Sequence, residues 1–264
     1  MHVRRWPFVA LAAVLLLTLP PAGDATLALA RILGYTVCHQ LPEHSLSMAG
    51  QQLPLCARCT GLYIGFLVGL LGMAIQGKLR ASQLPPSTVT GLLLAAFAAM
   101  AADGFNSLLG FLSDAPPPYE PSNLLRLITG TAAGASLALL LLPLLNESMW
   151  AKPDRSPSVD DLGDLAGYTI LAALAVALVG SEHPALLYPT ALASALGVLA
   201  ALSTAGAALA ATLSRRKVQA GNGGVPRPVL AGLALAVISM ALLGGARAYF
   251  SLPLGLAVVS AVAR

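Results

Sequence analysis

The sequence predicts an all-α protein, a polytopic transmembrane helical bundle of about seven spans. Hydrophobic residues make up 57% of its 264 residues and charged residues only 10%, whereas a soluble domain carries about 25% charged residues. The apolar residues occur in runs that approach the 17–25 or so residues a membrane-spanning helix needs. These runs are rich in Leu, Ala and Gly and do not alternate with polar residues, which excludes a transmembrane β-barrel.

The same composition excludes a soluble globular protein, a disordered chain and a coiled coil. The formal net charge is +4, but the Lys and Arg residues are scattered and form no basic face, so no nucleic-acid partner is expected. Membrane lipids are the expected partners. We expect an integral, multi-pass protein of a prokaryotic cell membrane, and nothing in the sequence bears on its oligomeric state.

The first apolar run, Trp6 to Pro21, is short and follows two arginines. Residues 1–22 are therefore either a signal peptide or a first transmembrane helix, and both alternatives deliver residues 23–60 to the outside. Residues 252–263 are too short to cross alone, and either extend the last span past Pro253 or lie in the interface. The six further predicted spans cover residues 61–75, 88–112, 124–145, 165–180, 186–213 and 229–250.

The charged loops predict the orientation of the spans. Positive residues collect in cytoplasmic loops, and a cytoplasmic amino terminus puts most of them on the inner side. Residues 23–60 then form an extracytoplasmic Cys/His loop, and residues 61–145 form helices that carry a polar site. Residues 146–164 form a solvated cytoplasmic linker before the Ala/Leu-rich helices of residues 165–264. The inner-side cations are Lys78, Arg80, Lys152, Arg155, Arg215, Arg216, Lys217 and Arg227.

All three cysteines lie in two short motifs, CHQLPEHS from Cys38 and CARCTGLY from Cys56. The Cys56-x-x-Cys59 pair has the spacing that a tetrahedral metal requires of two thiolates. Cys38 with His39 or His44 would complete four ligands. His44 is geometrically easier, because adjacent residues cannot both bind one metal without strain. Thiolates and imidazole favour zinc over magnesium or calcium.

Three other interpretations of these cysteines remain open. In an oxidising outer compartment, Cys56 and Cys59 would form a disulfide and leave Cys38 unpaired. At the start of a helix the same pair would have a lowered thiol pKa, as in thiol–disulfide proteins, although the usual thioredoxin-like βαβ pattern is missing. In the third interpretation, the two cysteines only pack at the mouth of the span.

A second polar group is expected at the same end of the bundle. Asp103 lies inside a predicted span, where an ionised residue costs about 2.5–3.5 kcal/mol and implies a partner or a function. Asn106 lies three residues later, on the same helical face. Asn123 and Arg126 open the next span. The topology therefore predicts that Asp103 and Arg126 contact each other or share one ligand.

The motifs CHxxPExS, CARCTGLY, an Asp-Gly inside a span and NxxRxxTG resemble an uncharacterised family of prokaryotic multi-pass membrane proteins. The resemblance covers about residues 34–134. The family usually has Arg in place of His44, which favours His39 as the fourth ligand. It usually has Gln in place of Ser107, which leaves Asn106 as a substitute donor. The resemblance marks Cys38, His39, Pro42, Glu43, Ser45, Cys56, Arg58, Cys59, Thr60, Gly61, Asp103, Gly104, Asn123, Arg126 and Gly130.

Together these residues predict a metal-dependent membrane enzyme that acts at the extracytoplasmic face on a lipid-like or anionic substrate. The alternatives are a transporter or channel subunit with a polar path, and a membrane thiol–disulfide protein. The expected zinc ligands are Cys38, His39, Cys56 and Cys59. The expected catalytic residues are Asp103, Asn106 and Arg126, and the expected substrate-binding residues are Arg58 and Asn123.

Overall fold

Six helices in the described part of the chain are long and apolar enough to cross a membrane, which confirms the predicted helical bundle. The computed structural model describes residues 23–112, 117–214, 217–219 and 225–262. A preceding helix, α1 (Asp24–Tyr35), is too short to cross. The predicted first span lies outside the described residues. The six long helices are α2 (Ala57–Ile75), α3 (Ser87–Leu112), α4 (Asn123–Met149), α5 (Leu162–Gly180), α6 (Leu187–Leu213) and α7 (Arg227–Val262).

The structure refines three predicted boundaries. Helix α2 begins four residues earlier than predicted, so Cys59 lies inside its first turn. Helix α7 continues through Pro253, which decides between the two predictions for residues 252–263. The segment 23–60 is not a loop throughout, because it contains α1 and an antiparallel pair of short strands, β1 (Ser47–Met48) and β2 (Gln51–Gln52).

Helix α4 lies at the centre of the bundle. It buries 61% of its most apolar window, whereas α3 and α7 bury 17% and α5 buries 11%. The exposed surfaces of α3, α5 and α7 carry large apolar side chains, which suit contact with lipid because the bilayer core is itself apolar. The helices that surround α4 therefore present one apolar face to the membrane and one to the core.

Glycines bring α2 and α4 into close contact. A Cβ atom on Gly61 or Gly65 would collide with the α4 backbone, and one on Gly130 or Gly134 would collide with the α2 backbone. Small residues at four-residue spacing allow such approach between membrane helices. This contact places the first turn of α2, which holds Cys56 to Cys59, beside the first turns of α4.

The chain alternates in direction, so the bundle has two distinct ends. The cysteine end holds Cys38, Cys56 and Cys59, together with the last turns of α3 and the first turns of α4. The far end holds strands β3 (Ala81–Gln83) and β4 (Asp154–Pro157), which pair in parallel.

The predicted linker 146–164 is exposed over much of its length but is also an ordered part of the far end. Helix α4 continues to Met149, and β4 pairs with β3. Ser158 and Val159 are fully buried. The reason is the hydrogen bond from the Ser158 hydroxyl to the Leu139 carbonyl at 2.7 Å, which ties the segment to α4.

Candidate functional site

The three cysteines form one cluster at the cysteine end. The sulfur atoms of Cys38, Cys56 and Cys59 all lie within 4.8 Å of one another, and all three are free thiols. Cys38 and Cys56 are buried, and Cys59 is half-buried. A tetrahedral zinc with Zn–S distances of about 2.3 Å requires sulfur atoms about 3.8 Å apart. The cluster therefore fits a zinc-sized thiophilic ion.

Local structure explains how two of these thiols meet. Cys56 is the N-cap residue of α2 and Cys59 lies three residues later, so both side chains lie on one side of the first turn. Cys38 reaches them from the loop after α1. The Cys56 backbone N–H donates to the Cys38 sulfur at 3.2 Å, and the Gln40 N–H donates to it at 3.5 Å.

The hydrogen bonds that Cys38 accepts distinguish it from the other two thiols. Hydrogen bonding from the Cys56 thiol, followed by that from the Cys59 thiol, lowers the pKa of Cys38 well below its usual range. The same hydrogen bond to Cys38 raises the pKa of Cys56. Cys38 therefore accepts hydrogen bonds from both neighbouring thiols and from two backbone N–H groups, and this favours its thiolate form. Metals bind the thiolate form of cysteine.

The structure does not bring His39 into the thiol cluster. Its Nδ1 atom accepts a hydrogen bond from the Leu41 N–H at 3.0 Å, and its ring lies edge-on to the His44 ring at 5.2 Å between centroids. The expected four-ligand set with His39 or His44 is therefore not assembled, because the Leu41 turn engages the His39 imidazole. Burial, and then the positive charge of Arg126, lowers the pKa of His44.

Asp103 pairs with Arg58 and not directly with Arg126; the alternative, that Asp103 and Arg126 share one ligand, stays a prediction. Asp103 is 1% exposed. The Arg58 Nε donates to its Oδ2 atom at 3.1 Å, and the Arg58 Nη2 forms an ion pair with the same oxygen. The Tyr119 hydroxyl donates to Oδ1 at 3.2 Å. The physical reason is the close packing of α2 on α4, which leaves Arg58 nearer to Asp103; Gly104 also leaves the Arg58 guanidinium space beside α3.

Arg126 is buried without a carboxylate partner among the described residues. It is 5% exposed, and its Nη1 donates to the Asn123 Oδ1 at 2.7 Å. Its Nη2 approaches the Ser107 hydroxyl at 3.5 Å, and its Nε has no hydrogen-bond partner. The Arg58 Nη2 also donates to the Ser107 hydroxyl, at 3.2 Å. Asp103 and Arg126 are thus linked only indirectly, because two guanidinium groups converge on one hydroxyl.

The two asparagines hold neighbouring loops in place. The Asn106 side chain donates to the Tyr119 carbonyl at 2.9 Å and accepts from the Tyr119 N–H at 3.4 Å. The Asn123 side chain donates to the carbonyls of Glu43 at 3.2 Å and Ser45 at 3.3 Å. The amide of Asn106 therefore positions Tyr119, while Asn123 connects α4 to the loop that follows Cys38.

Sequence reasoning missed Ser107 and Tyr119 as members of this cluster. Ser107 lies one turn after Asp103 on the same face of α3, and its hydroxyl donates to the Asp103 carbonyl at 3.0 Å; that i, i+4 spacing was a usable signal. Tyr119 follows three prolines between two spans, and nothing in that sequence indicates that its hydroxyl reaches Asp103.

Arg247 of α7 binds the loop that carries Cys38. Its guanidinium donates to the carbonyls of Tyr35 at 2.7 Å and His39 at 3.0 Å, and also to the Cys38 carbonyl. It lies 4.1 Å from the centroid of the Tyr35 ring. A residue late in the chain thus binds three carbonyls of the segment that carries Cys38.

The fold and the site define a multi-pass helical membrane protein with buried thiols and a buried charged cluster at one end of its bundle. The chain belongs to the family described as "Predicted membrane protein (DUF2085)", which matches residues 38–140, and this confirms the predicted resemblance to an uncharacterised prokaryotic membrane family. The matched residues include all three cysteines, Arg58, Asp103 and Arg126, but not Arg247.

Two archaeal relatives support this membership. An uncharacterised protein of Methanocaldococcus jannaschii is 34% identical over 116 residues, which cover 44% of this chain and 68% of that protein. An uncharacterised protein of Methanothermobacter thermautotrophicus is 37% identical over 105 residues, which cover 39% of this chain and 83% of that protein. No solved structure matches the chain.

Proposed function

We propose that this protein is a zinc-dependent membrane enzyme that acts at the extracytoplasmic face on a lipid-like or anionic substrate. The observation that carries the proposal is the cluster of three thiols within 4.8 Å without a histidine or carboxylate as a fourth ligand among the described residues. Three protein ligands and one open position are typical of catalytic zinc sites, whereas structural sites use four. Thiolate ligands favour zinc over magnesium or calcium.

The neighbouring charged cluster supports the enzyme interpretation. A bound zinc ion would supply Lewis acidity and lower the pKa of a bound water. Asp103 is the carboxylate of the cluster, and Arg58 and Tyr119 orient its two oxygen atoms. It would accept a proton from the attacking group or hold that group by a hydrogen bond. Arg126 would hold the anionic part of the substrate.

Elemental analysis with thiol counting on the detergent-purified protein tests the metal. We expect about one zinc per chain, and three thiols that react only after chelation and denaturation. A variant with Cys38, Cys56 and Cys59 all changed to Ser, purified in parallel, controls for zinc bound elsewhere. A metal-free protein with one reactive thiol would overturn the proposal and identify a disulfide.

Labelling with a membrane-impermeant thiol reagent tests the proposed face. Ser47 lies at the cysteine end and Lys152 at the far end, and both are exposed. In the triple-Ser background, Ser47→Cys should label in intact cells and Lys152→Cys only after lysis. The reverse pattern would place the site in the cytoplasm and contradict this part of the proposal.

A comparison of lipid turnover tests the reaction. Wild-type protein and the Asp103→Asn variant are reconstituted in vesicles of total bacterial lipid, and lipid species are followed by mass spectrometry. We expect a species that changes only with the wild-type, zinc-loaded protein. If both proteins leave every lipid and phosphate ester unchanged, the enzyme interpretation is contradicted.

A further inference from the structure

The charged cluster at the cysteine end has more buried positive than negative charge. Arg58 and Asp103 neutralise each other by a direct ion pair. Arg126 is only 5% exposed. No carboxylate of the described residues lies within ion-pair distance of its guanidinium. A guanidinium remains protonated in proteins. Among the described residues, the cluster of Arg58, Asp103 and Arg126 therefore holds one positive charge without an ion-pair partner.

The polar groups of the described residues do not fully satisfy the Arg126 guanidinium. Arg126 has two neutral partners, the amide oxygen of Asn123 and the hydroxyl of Ser107, and the second contact is long at 3.5 Å. Its Nε is buried and has no hydrogen-bond partner in the part of the chain that the structure describes. Buried polar atoms are nearly always hydrogen-bonded, so such an atom calls for a specific explanation.

The positions of these donors favour an anion with several oxygen atoms. The Arg58 and Arg126 guanidinium groups both converge on the Ser107 hydroxyl, so two cations on different helices share one weak acceptor. Arg126 also lies one turn into α4, where the helix N-terminus favours negative charge. Like charges at such separation repel each other strongly in a low-dielectric site. An oxyanion beside Ser107 would relieve this repulsion and give Arg126 Nε an acceptor.

We propose that Arg126, Arg58 and Ser107 bind a singly charged phosphate diester, the group shared by lipid headgroups and soluble phosphodiesters. The inference rests on the proposed function, since it names the anionic group of its substrate. One negative charge neutralises the one excess positive charge. The four oxygens of a phosphate diester, two of which share its negative charge, point in tetrahedral directions, whereas the two oxygens of a carboxylate lie in one plane. The diester therefore suits donors that approach from two helices better.

Ligand binding to the full chain in maltoside micelles, read by thermal unfolding and by 31P line broadening, tests the site. The probes are inorganic phosphate, glycerophosphoglycerol, dihexanoylphosphatidylglycerol and hexanoate. We expect both diesters to bind and hexanoate to bind at least tenfold more weakly. A lipid that binds much more tightly than its chain-free headgroup identifies a membrane source, and equal affinities identify a soluble one. Equal binding of hexanoate would overturn the phosphate class.

Variants connect the binding to the named residues. Arg126→Gln should weaken diester binding at least tenfold, which corresponds to about 1.4 kcal/mol. Arg31→Gln is the matched control, since Arg31 lies exposed at the same end and, among the described residues, its side chain donates to the Gln52 carbonyl. Equal losses in the two variants would overturn the assignment.

A second variant keeps the test informative if Arg126→Gln does not fold. Ser107→Asp places a carboxylate between the two guanidinium groups, so it should raise the unfolding temperature and abolish stabilisation by the diesters. A lower unfolding temperature with unchanged diester binding would contradict an excess of positive charge.

A third variant tests whether Asp114, which lies outside the described residues, supplies the missing negative charge. If Asp114→Asn binds the diesters and the wild type does not, Asp114 is the counter-charge of Arg126 and the proposal is wrong.

The inference and the proposed function fail in different ways. The diester site contains no cysteine, so we expect the triple-Ser variant to retain diester binding if it folds. A protein that binds the diesters but holds no zinc would contradict the proposed enzyme and leave the diester site standing. A protein that holds zinc but binds no diester would contradict the diester site alone.

Discussion

The two ends of the bundle differ in how completely their polar side chains are paired. At the far end, Lys78 contacts Asp160 at 2.8 Å and Asp164 at 2.7 Å. The buried Asn146 amide donates to the carbonyls of Leu79 at 3.0 Å and Ala81 at 2.8 Å. At the cysteine end, three thiols cluster within 4.8 Å of one another, and the buried Arg126 guanidinium has no carboxylate within ion-pair distance among the described residues.

This difference separates a structural end from a functional end. Polar groups with complete partners cost little once folded and hold neighbouring elements together. Polar groups that are buried with incomplete partners reduce stability, and a protein retains such a cost where an incoming ligand completes them. The far end therefore holds the helices in register, and the cysteine end holds the incompletely paired groups on which the proposed metal and anion sites depend.

The largest expected effect is the loss of metal from any one thiol variant. Cys38→Ser, Cys56→Ser and Cys59→Ser should each release zinc and lower the unfolding temperature by similar amounts, because each leaves only two ligands. Elemental analysis and thermal unfolding of the three proteins measure this. If Cys38→Ser keeps its metal content and unfolding temperature while the other two variants behave alike, the disulfide interpretation is correct.

The ion pair at the cysteine end should couple more strongly than the one at the far end. Asp103→Ala leaves Arg58, whose side chain is 21% exposed, without its carboxylate beside the buried Arg126. It should therefore reduce the free energy of unfolding by about 3 kcal/mol, the low end for a buried pair. The Asp103→Ala, Arg58→Ala double variant should regain much of that loss. Reversible unfolding in mixed detergent micelles measures the cycle. Additive effects of the two single variants would show that the pair is not coupled.

A positioning role for Arg247 should appear in metal affinity. Arg247→Gln removes the donors that hold the Tyr35, Cys38 and His39 carbonyls. We expect zinc to bind about 10–100-fold more weakly, as for other residues that orient metal ligands. Competition with a chelator measures this, and a cobalt-loaded sample reports the thiolate geometry. Arg227→Gln, at the other end of α7, is the control; equal losses in both variants would contradict the positioning role.

The smallest effect is expected at the far end. Burial lowers the pKa of Lys78, but its hydrogen bonds to Asp160 and Asp164 outweigh burial and raise that pKa above its usual value. The stabilisation is therefore fully present below the unfolded pKa of about 10.4 and is lost as the pH rises through the higher folded pKa. Because Asp160 is 57% exposed, Lys78→Met should cost only about 0.2–1 kcal/mol.

A titration of unfolding in mixed micelles from pH 7 to pH 11 checks this prediction. The difference between wild type and Lys78→Met should shrink at the alkaline end, and zinc content and diester binding should not change. A loss of metal or diester binding in Lys78→Met would contradict the claim that the far end is structural and independent of the sites at the cysteine end.

Helix packing was predictable in part. Small residues on α6 at Ala193, Gly197, Ala201 and Ala205 indicate close packing, and Gly197 does lie against the Tyr63 carbonyl of α2. The more important signal was the four-residue spacing of Gly61 and Gly65, whose missing side chains allow α2 to approach α4. That spacing is visible in the sequence, but its partner helix is not, because any helix with small residues could take that place.

The sequence predicts which residues form the charged cluster better than it predicts which of them form ion pairs with each other. Asp103, Arg126 and Arg58 were all identified as site residues, since ionised groups in a predicted span require an explanation. The sequence does not show that Arg58 forms the ion pair with Asp103. It also places His39 beside Cys38, whereas the Leu41 N–H engages the His39 imidazole.

The sequence alone determined the helical membrane class, the family and the two motifs that hold the cysteines. These follow from local chemistry, because a segment in lipid must satisfy its own backbone hydrogen bonds. Only the tertiary structure decided that Arg58 neutralises Asp103, that Arg126 has no carboxylate among the described residues, and that Arg247 holds the Cys38 loop. Such pairings depend on how far each helix is rotated and shifted against its neighbours, which is set by packing between residues distant in the chain.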